Sequence, residues 1–327
     1  MTYMTKMKKA VIGNPIYLVL VLLFIIMTLV TDNFLTTTNL FNVLVTESCR
    51  GILALGAGFV IISSGIDLSV GSVVALSAVI TCSLAQVADY ESKLLPNVGE
   101  VPLVIAILAG IAAGAAVGLF NGVMIAVFKV PPFIATLGTM TAASGIALTY
   151  TNSYPIPMLR PEYTKIGQGR IGEFPVIILY FVLVAAALWV ILNKTRFGKS
   201  IYAIGGNKSA AQVAGVNVRG VLIAVYVVSG IISAIAGILL ASRTGSAIAS
   251  LGEGYEMDAI SAAIVGGVSN TGGVGTVGGM IVGVLILGIV NNGLLLLGVS
   301  PYTQKIVKGL IIVAAVAFDM WRSARKN

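Results

Sequence analysis

The chain has 327 residues, of which 57% are hydrophobic and only 10% charged, and its mean hydropathy is +1.02. A soluble domain carries roughly a quarter charged residues, so this composition excludes a water-soluble fold and defines an all-α polytopic membrane protein. The formal charge of +8 is spread among membrane flanks, which argues against nucleic acid as a partner, and the absence of histidine removes the commonest metal ligand and general base.

A helix needs about 20 apolar residues to cross a bilayer, fewer where it is broken or buried among neighbours. Ten stretches qualify in chain order: 15–30, 51–64, 66–88, 101–128, 133–150, 174–192, 220–241, 258–275, 276–298 and 301–320. The first follows Lys6, Lys8 and Lys9 without a small-residue cleavage pattern behind it, so it reads as a retained helix and not as a signal peptide. Stretches 51–64 and 258–275 are short or interrupted by glycine. Cys49 and Cys82 read as small core residues, not as a disulfide. With the N-terminus inside and the spans alternating, cytoplasmic segments hold 12 of the 20 basic residues and 2 of the 12 acidic ones. That obeys the positive-inside rule and places both termini in the cytoplasm. Arg160, Lys165 and Arg170 break the rule locally, in the external loop 151–173, which its prolines keep extended.

Two halves of this single transmembrane domain, residues 1–327, echo each other. Gly110, Gly114, Gly118 and Gly122 recur every four residues on the fourth span, and Gly275, Gly279 and Gly283 do so on the ninth. Such ladders strip one helix face to backbone and admit a close neighbour. An Asp heads a small-residue segment before each ladder, Asp67 in one half and Asp258 in the other. Val130-Pro-Pro-Phe133 and Val299-Ser-Pro-Tyr302 follow the ladders. Spans 2–5 thus match spans 7–10 in opposite orientation, the inverted repeat common in transporters.

Carboxylates inside apolar segments cost about 2.5–3.5 kcal/mol on insertion scales. Asp67 and Asp258 therefore read either as helix caps or as parts of a polar constriction, with no basic partner near either in sequence. Ser69, Asn121, Thr136, Thr139, Ser144, Ser261, Asn291 and Asn292 are further polar groups inside apolar spans. Each either lines a solute route or bonds a neighbouring helix. The Asn291-Asn292 pair is the strongest route candidate, because one amide must face something other than lipid.

Between the sixth and seventh spans lies the one long polar stretch, 193–219, with Lys194, Arg196, Lys199, Lys208 and Arg219. A basic, small-residue loop of this size faces the cytoplasm. Residues 207–215 read as a short helix ending at Gly215. Gly198-Lys199-Ser200 imitates the end of a phosphate-binding loop, but the required first glycine is Asn193. Gly167-Gln-Gly-Arg-Ile-Gly172 has the dinucleotide spacing without a βαβ context. No catalytic motif is visible, so the chain reads as a non-enzyme with no means of hydrolysing ATP itself.

Four motifs then coincide: Ser64-Gly-Ile-Asp-Leu-Ser-Val-Gly-Ser72, Val130-Pro-Pro-Phe-Ile-Ala-Thr-Leu-Gly-Thr139, Thr195-Arg-Phe-Gly-Lys-Ser-Ile-Tyr-Ala-Ile-Gly-Gly-Asn207, and Asp258-Ala-Ile-Ser-Ala-Ala-Ile-Val-Gly-Gly267 with Gly272-Gly-Val-Gly-Thr276. In this order they resemble the membrane permeases of bacterial ABC importers for simple sugars, the ribose/galactose/xylose group. Residues 193–207 resemble galactoside-type members, and the Asp67 motif resembles ribose-type ones. The resemblance implies a permease subunit in the bacterial inner membrane. Its partners would be a second permease chain, an ABC ATPase that uses ATP and Mg2+, and an extracytoplasmic sugar-binding protein. It assigns coupling to Arg196, Phe197, Gly198, Lys199, Gly205, Gly206, Asn207, Ala210, Ala211 and Gly215, and needs no cofactor in this chain. The same architecture importing a nucleoside, inositol or a sugar-like signal is an alternative, as is an ion-coupled secondary carrier built on Asp67 and Asp258.

Overall fold

In the computed structural model residues 15–324 are described, and they form thirteen α-helices and one short β-hairpin. In chain order these are α1 (Pro15–Val30), α2 (Thr37–Ile62), α3 (Val70–Leu84), α4 (Leu103–Ala126), α5 (Pro132–Thr151), α6 (Pro161–Gln168), β1 (Arg170–Ile171), β2 (Phe174–Pro175), α7 (Val176–Lys194), α8 (Arg196–Gly206), α9 (Lys208–Val213), α10 (Val218–Thr244), α11 (Tyr255–Val265), α12 (Val277–Leu296) and α13 (Pro301–Ala324). The strands pair antiparallel, Arg170 with Pro175 and Ile171 with Phe174. The basic residues Lys6, Lys8, Lys9, Arg325 and Lys326 lie outside the described residues.

Among the described residues six helices are long and apolar enough to cross a bilayer: α2, α4, α5, α7, α10 and α12. Two shorter apolar helices cover Ile16–Val30 and Val70–Leu84. The expected count of ten is therefore not confirmed, and the two weakest stretches show why. Stretch 51–64 is only the second half of α2, which starts at Thr37. Asn39, Glu47 and Arg50 hide its first half from a hydropathy reading, yet each finds a partner inside the protein. Stretch 258–275 contains α11, whose 11 residues rise only about 16 Å. The helix stops where Gly267, at φ +85°, turns the chain. The following loop returns to the end of α2, where Gly273 N–H donates to Ile62 O at 2.8 Å.

α2 and α10 form the centre, and α2 is buried from Gly51 to Ile62. Around them α1, α4, α5, α7 and α13 turn large apolar side chains outward, among them Leu29, Phe120, Ile146, Val182 and Leu310. Lipid is the solvent that tolerates such a surface. The packing is paired between the halves: α3 packs on α4, α5 and α10, while α11 packs on α12, α13 and α2.

The glycine ladders lie at these contacts. A Cβ at Gly114 would strike the Gly230 carbonyl of α10, and one at Gly118 would strike that of Tyr226. Gly279 and Gly283 press in the same way on Gly266 and Ala262 of the α11 segment. Gly110 meets Thr81 and Ser77 of α3, and Gly122 meets Ile223 of α10. Gly275 falls before α12 begins, in the turn, so it is not a rung of that helix.

Loop 151–173 is not simply extended. It carries α6, which is docked on α10: Tyr163 Oη donates to Ile238 O at 2.8 Å, and Gly167 N–H donates to Ser242 Oγ at 2.7 Å. Gln86 and Arg160 tie the same end together, Gln86 to Pro157 O at 3.0 Å and Arg160 to Val101 O at 2.7 Å. Cys49 and Cys82 are buried and free, as the composition leads one to expect.

Candidate permeation and coupling site

α2 ends at Ile62, and the chain crosses to α3 through an irregular segment opened by Ser64 at φ +61°. Irregular backbone at this depth survives only inside protein, where side chains satisfy it. Asp67 supplies part of that. Its Oδ1 accepts from Ser69 N at 3.0 Å and from Ser69 Oγ at 2.6 Å, and its Oδ2 accepts from Ser229 Oγ of α10 at 2.8 Å. Asn121 Nδ2 of α4 donates to Ser69 Oγ at 2.9 Å, and Thr139 Oγ1 of α5 donates to Asn121 Oδ1 at 2.6 Å. Asp67, Ser69, Asn121, Thr139 and Ser229 are all buried. Four segments far apart in sequence are thus joined by one chain of neutral donors ending on a carboxylate. Asp67 does not cap α3; its bonds make a local turn just ahead of the helix.

Asp258 has a different environment. Lys308 Nζ of α13 lies 3.0 and 3.1 Å from its two oxygens, and Arg50 Nε of α2 lies 3.4 Å from Oδ2. Arg50 also donates to Glu47 Oε1 at 2.8 Å and lies over the Tyr255 ring at 5.1 Å. Two acids and two bases therefore neutralise each other between α2, α11 and α13. Asp258 has no basic partner near it in sequence, and both of its partners come from distant helices.

The other predicted route residues divide. Asn292 and Asn39 of α2 exchange two amide bonds at 2.8 and 3.0 Å, which is helix bonding and not a solute contact. Asn291 borders the ionic cluster, and its buried Oδ1 has no partner. Thr136 donates to Pro132 O at 2.8 Å, and Ser261 donates to Met257 O; both bonds stay within their own helices. Ser144 borders a cavity.

Two cavities flank the α2–α3 crossing. One, of about 800 Å3, is bordered by Ser64, Gly65, Tyr226, Lys129, Lys208 and Arg219 among others, with no acidic residue in its described wall. The other, of about 710 Å3, is bordered by Gly71, Ser72, Thr141, Ser144, Glu253 and Glu256 among others, with no basic one. Asp67 and Ser69 lie between the two sets of lining residues in sequence.

The polar stretch folds into two helices at the other end of α10 from α6. Thr195 caps α8 by accepting from Gly198 N at 3.1 Å, and Asn207 caps α9 by accepting from Ala210 N at 2.9 Å. Gly215, at φ +83°, ends the turn after α9, as the sequence leads one to expect. One face is buried through Ile201, Ile204 and Ala211, while Arg196, Lys199, Lys208, Ala210 and Arg219 are exposed and Val213 is 90% exposed. Gly198 and Gly205 are buried because backbone presses on them, and Phe197 is half-buried. Gly206 and Asn207 are exposed. The buried side is bonded to both irregular segments. Ser64 Oγ reaches Gly205 O at 3.1 Å and Thr271 O at 2.9 Å, and Tyr202 Oη donates to Gly275 O at 2.7 Å. Burial raises the Tyr202 phenol above its ordinary value, so it remains a donor.

Sequence reasoning missed Glu47, Arg50, Lys308, Ser229 and Val213. The first two carry a readable sign: an acid and a base three residues apart, on one helix face, at the edge of an apolar run.

A multi-pass helical protein, with an irregular interhelical crossing bordered by cavities, is a membrane permease by class. Residues 39–316 match the family of the branched-chain amino acid transport system permease component, and the chain belongs to that family. It is 44% identical to the galactose/methyl galactoside import permease protein MglC of Haemophilus influenzae, over 96% of each chain. It is 45% identical to the Escherichia coli protein of that name, over 95% of each. With the ribose import permease protein RbsC of Bacillus subtilis it shares 42% identity, over 94% of this chain and 92% of the relative. No solved structure matches the chain.

Proposed function

We propose that this chain is the membrane permease subunit of an ATP-driven ABC importer that carries a monosaccharide of the galactose or ribose type into the cytoplasm. Its relatives named as import permeases for galactose, methyl galactoside and ribose support the solute class. The observation that carries the mechanism is the α8–α9 unit. It offers Val213 and three basic side chains, Arg196, Lys199 and Lys208, outward, and its rear is bonded through Gly205 and Tyr202 to both irregular segments. An ABC ATPase pair, using ATP and Mg2+, closes and pushes this unit. The push reaches Ser64 and Gly275, which adjoin the α2–α3 crossing and the α11–α12 loop. That is a rigid-body route to alternating access.

Ten passes follow if α3 with its crossing, and α11 with its flanking loops, each count as a discontinuous pass. The paired packing of α3 and α11 supports an inverted repeat. An even number of passes puts both termini on one side, and the basic 193–219 stretch supports the cytoplasmic one. A second copy of the chain would cover the exposed faces of α5 and α13, and an extracytoplasmic binding protein would deliver the sugar. Discrimination between a sugar, a nucleoside and inositol then resides in that binding protein. An ion-coupled carrier needs a carboxylate free to take up an ion, whereas Asp258 is held by two cations and Asp67 by three donors.

The test is uptake of D-galactose and D-ribose by vesicles holding the chain with its ATPase and binding protein. Uptake that requires internal ATP and ignores ion gradients supports the reading. Uptake driven by a gradient without ATP contradicts it.

A further inference from the structure

We propose that the cavity between the start of α3, the second half of α5 and loop 249–256 is a transit site that holds a neutral polyol, a monosaccharide in passage, beside the buried Asp67 chain. This rests on the importer reading above. At about 710 Å3 the cavity lies within the size range of small-molecule sites, roughly 300–1,000 Å3.

Its wall is rich in acceptors. Glu253 and Glu256 supply carboxylates, Ser72, Thr141, Ser144 and Ser250 supply hydroxyls, and no lysine or arginine is among its described lining residues. Thr141 spends its proton on Leu137 O at 3.1 Å, which leaves its oxygen to accept. Ser72 is 9% exposed, borders this cavity, and its buried Oγ has no partner. A buried hydroxyl in that state calls for a missing partner, from solvent or a ligand.

Sugar hydroxyls are the donors that fit carboxylates in such a wall without bringing charge. An anionic solute would be repelled. A tightly held metal is not provided for, because no cluster of three metal-binding side chains occurs among the described residues.

Gly71 fixes the arrangement. A Cβ there would collide with Glu256 Oε2 and the Gly252 carbonyl, so its absence lets the Glu256 carboxylate lie against the first turn of α3. The basic cavity on the other side of Asp67 has the opposite character, with Lys129, Lys208 and Arg219 in its wall.

The experiment uses the complete importer in vesicles and follows D-galactose and D-ribose uptake for wild type, Ser72→Ala, and Glu253→Gln with Glu256→Gln. The double variant is expected to import about tenfold more slowly, the worth of one or two lost hydrogen bonds to the solute, while still co-eluting with its ATPase. Because Glu256 packs on Gly71, a second measurement avoids folding defects. Ser144→Cys is treated with a membrane-impermeant methanethiosulfonate, against a background in which Cys49 and Cys82 are buried. Modification is expected to block uptake, and excess D-galactose or D-ribose to slow the labelling. Wild-type uptake with unchanged variants and an unreactive Cys overturns this site alone. Protection by Na+ or Ca2+ instead of sugar overturns it in favour of a cation site. A wild-type assembly that takes up neither sugar overturns the importer reading as well.

Discussion

Asp67, just ahead of α3, and Asp258, in the first turn of α11, are held in opposite ways. Gly51-Ile-Leu-Ala-Leu-Gly-Ala-Gly58 of α2 parallels Gly230-Ile-Ile-Ser-Ala-Ile-Ala-Gly237 of α10, which sets Arg50 opposite Ser229. Thr139 and Lys308 each stand seven residues after the proline that opens their helix, Pro132 and Pro301. Asn121 and Asn291 each follow a glycine by three. One half therefore fixes its carboxylate with Ser229 and, through Ser69 and Asn121, with Thr139; the other uses Arg50 and Lys308. The first carboxylate is held by hydroxyl, amide and backbone donors, the second by cations. The neutral side rearranges by swapping hydrogen bonds among hydroxyls and amides. The ionic side must expose or strand charges to move, which costs far more in a low-dielectric interior. On this account the Asp67 half is the moving barrier and the Asp258 half is the anchor.

The largest expected effect comes from breaking the anchor. Arg50→Met strands Glu47, which is 5% exposed, and leaves Asp258 with Lys308 alone. We expect a loss of about 3–5 kcal/mol, read as a drop in thermal stability in detergent, and partial recovery when Glu47→Gln is added. No recovery would mean that the charges are not the tie. Gly114→Leu forces α4 off the Gly230 backbone and is expected to cost about 1–3 kcal/mol or more, measured in the same way. Asp67→Asn keeps acceptor and donor capacity among Ser69 and Ser229, so it should cost only about 1 kcal/mol. If it proved as damaging as Arg50→Met, the contrast between the halves would be lost. Asn292→Leu removes the amide pair with Asn39 and is expected to cost about 0.6 kcal/mol, a typical value for such bonds between membrane helices. Asn39→Leu added to it should cost little more.

The helices with uninterrupted apolar faces were legible in the sequence. α4, α5, α7, α10 and α12 lie within a few residues of the predicted spans, and the short helix read over 207–215 is present as α9, capped by Asn207 and followed by Gly215. What was not legible depends on contacts distant in sequence. The first half of α2 looks polar until Glu47 meets Arg50 and Asn39 meets Asn292. The glycine interruption of stretch 258–275 was visible in the sequence, and Gly267 turns the chain there. Asp258 looked unpartnered because Lys308 lies on another helix. The pairing of Asn292 with Asn39 of α2 has no local sign in the sequence. Docking of α6 on α10 was likewise hidden, since it rests on backbone groups and on Tyr163.

The most direct measurement is co-purification of the tagged chain from its native membrane in mild detergent, wild type beside Val213→Asp and Arg196→Glu. Both side chains are exposed, so the variants should fold with stability within about 0.5 kcal/mol of wild type. The account predicts a stoichiometric ATPase bearing phosphate-binding loops on the wild type, and its loss from both variants. Wild-type and variant chains that carry the same ATPase, or that carry none, would contradict the assignment of α8–α9 as the coupling unit.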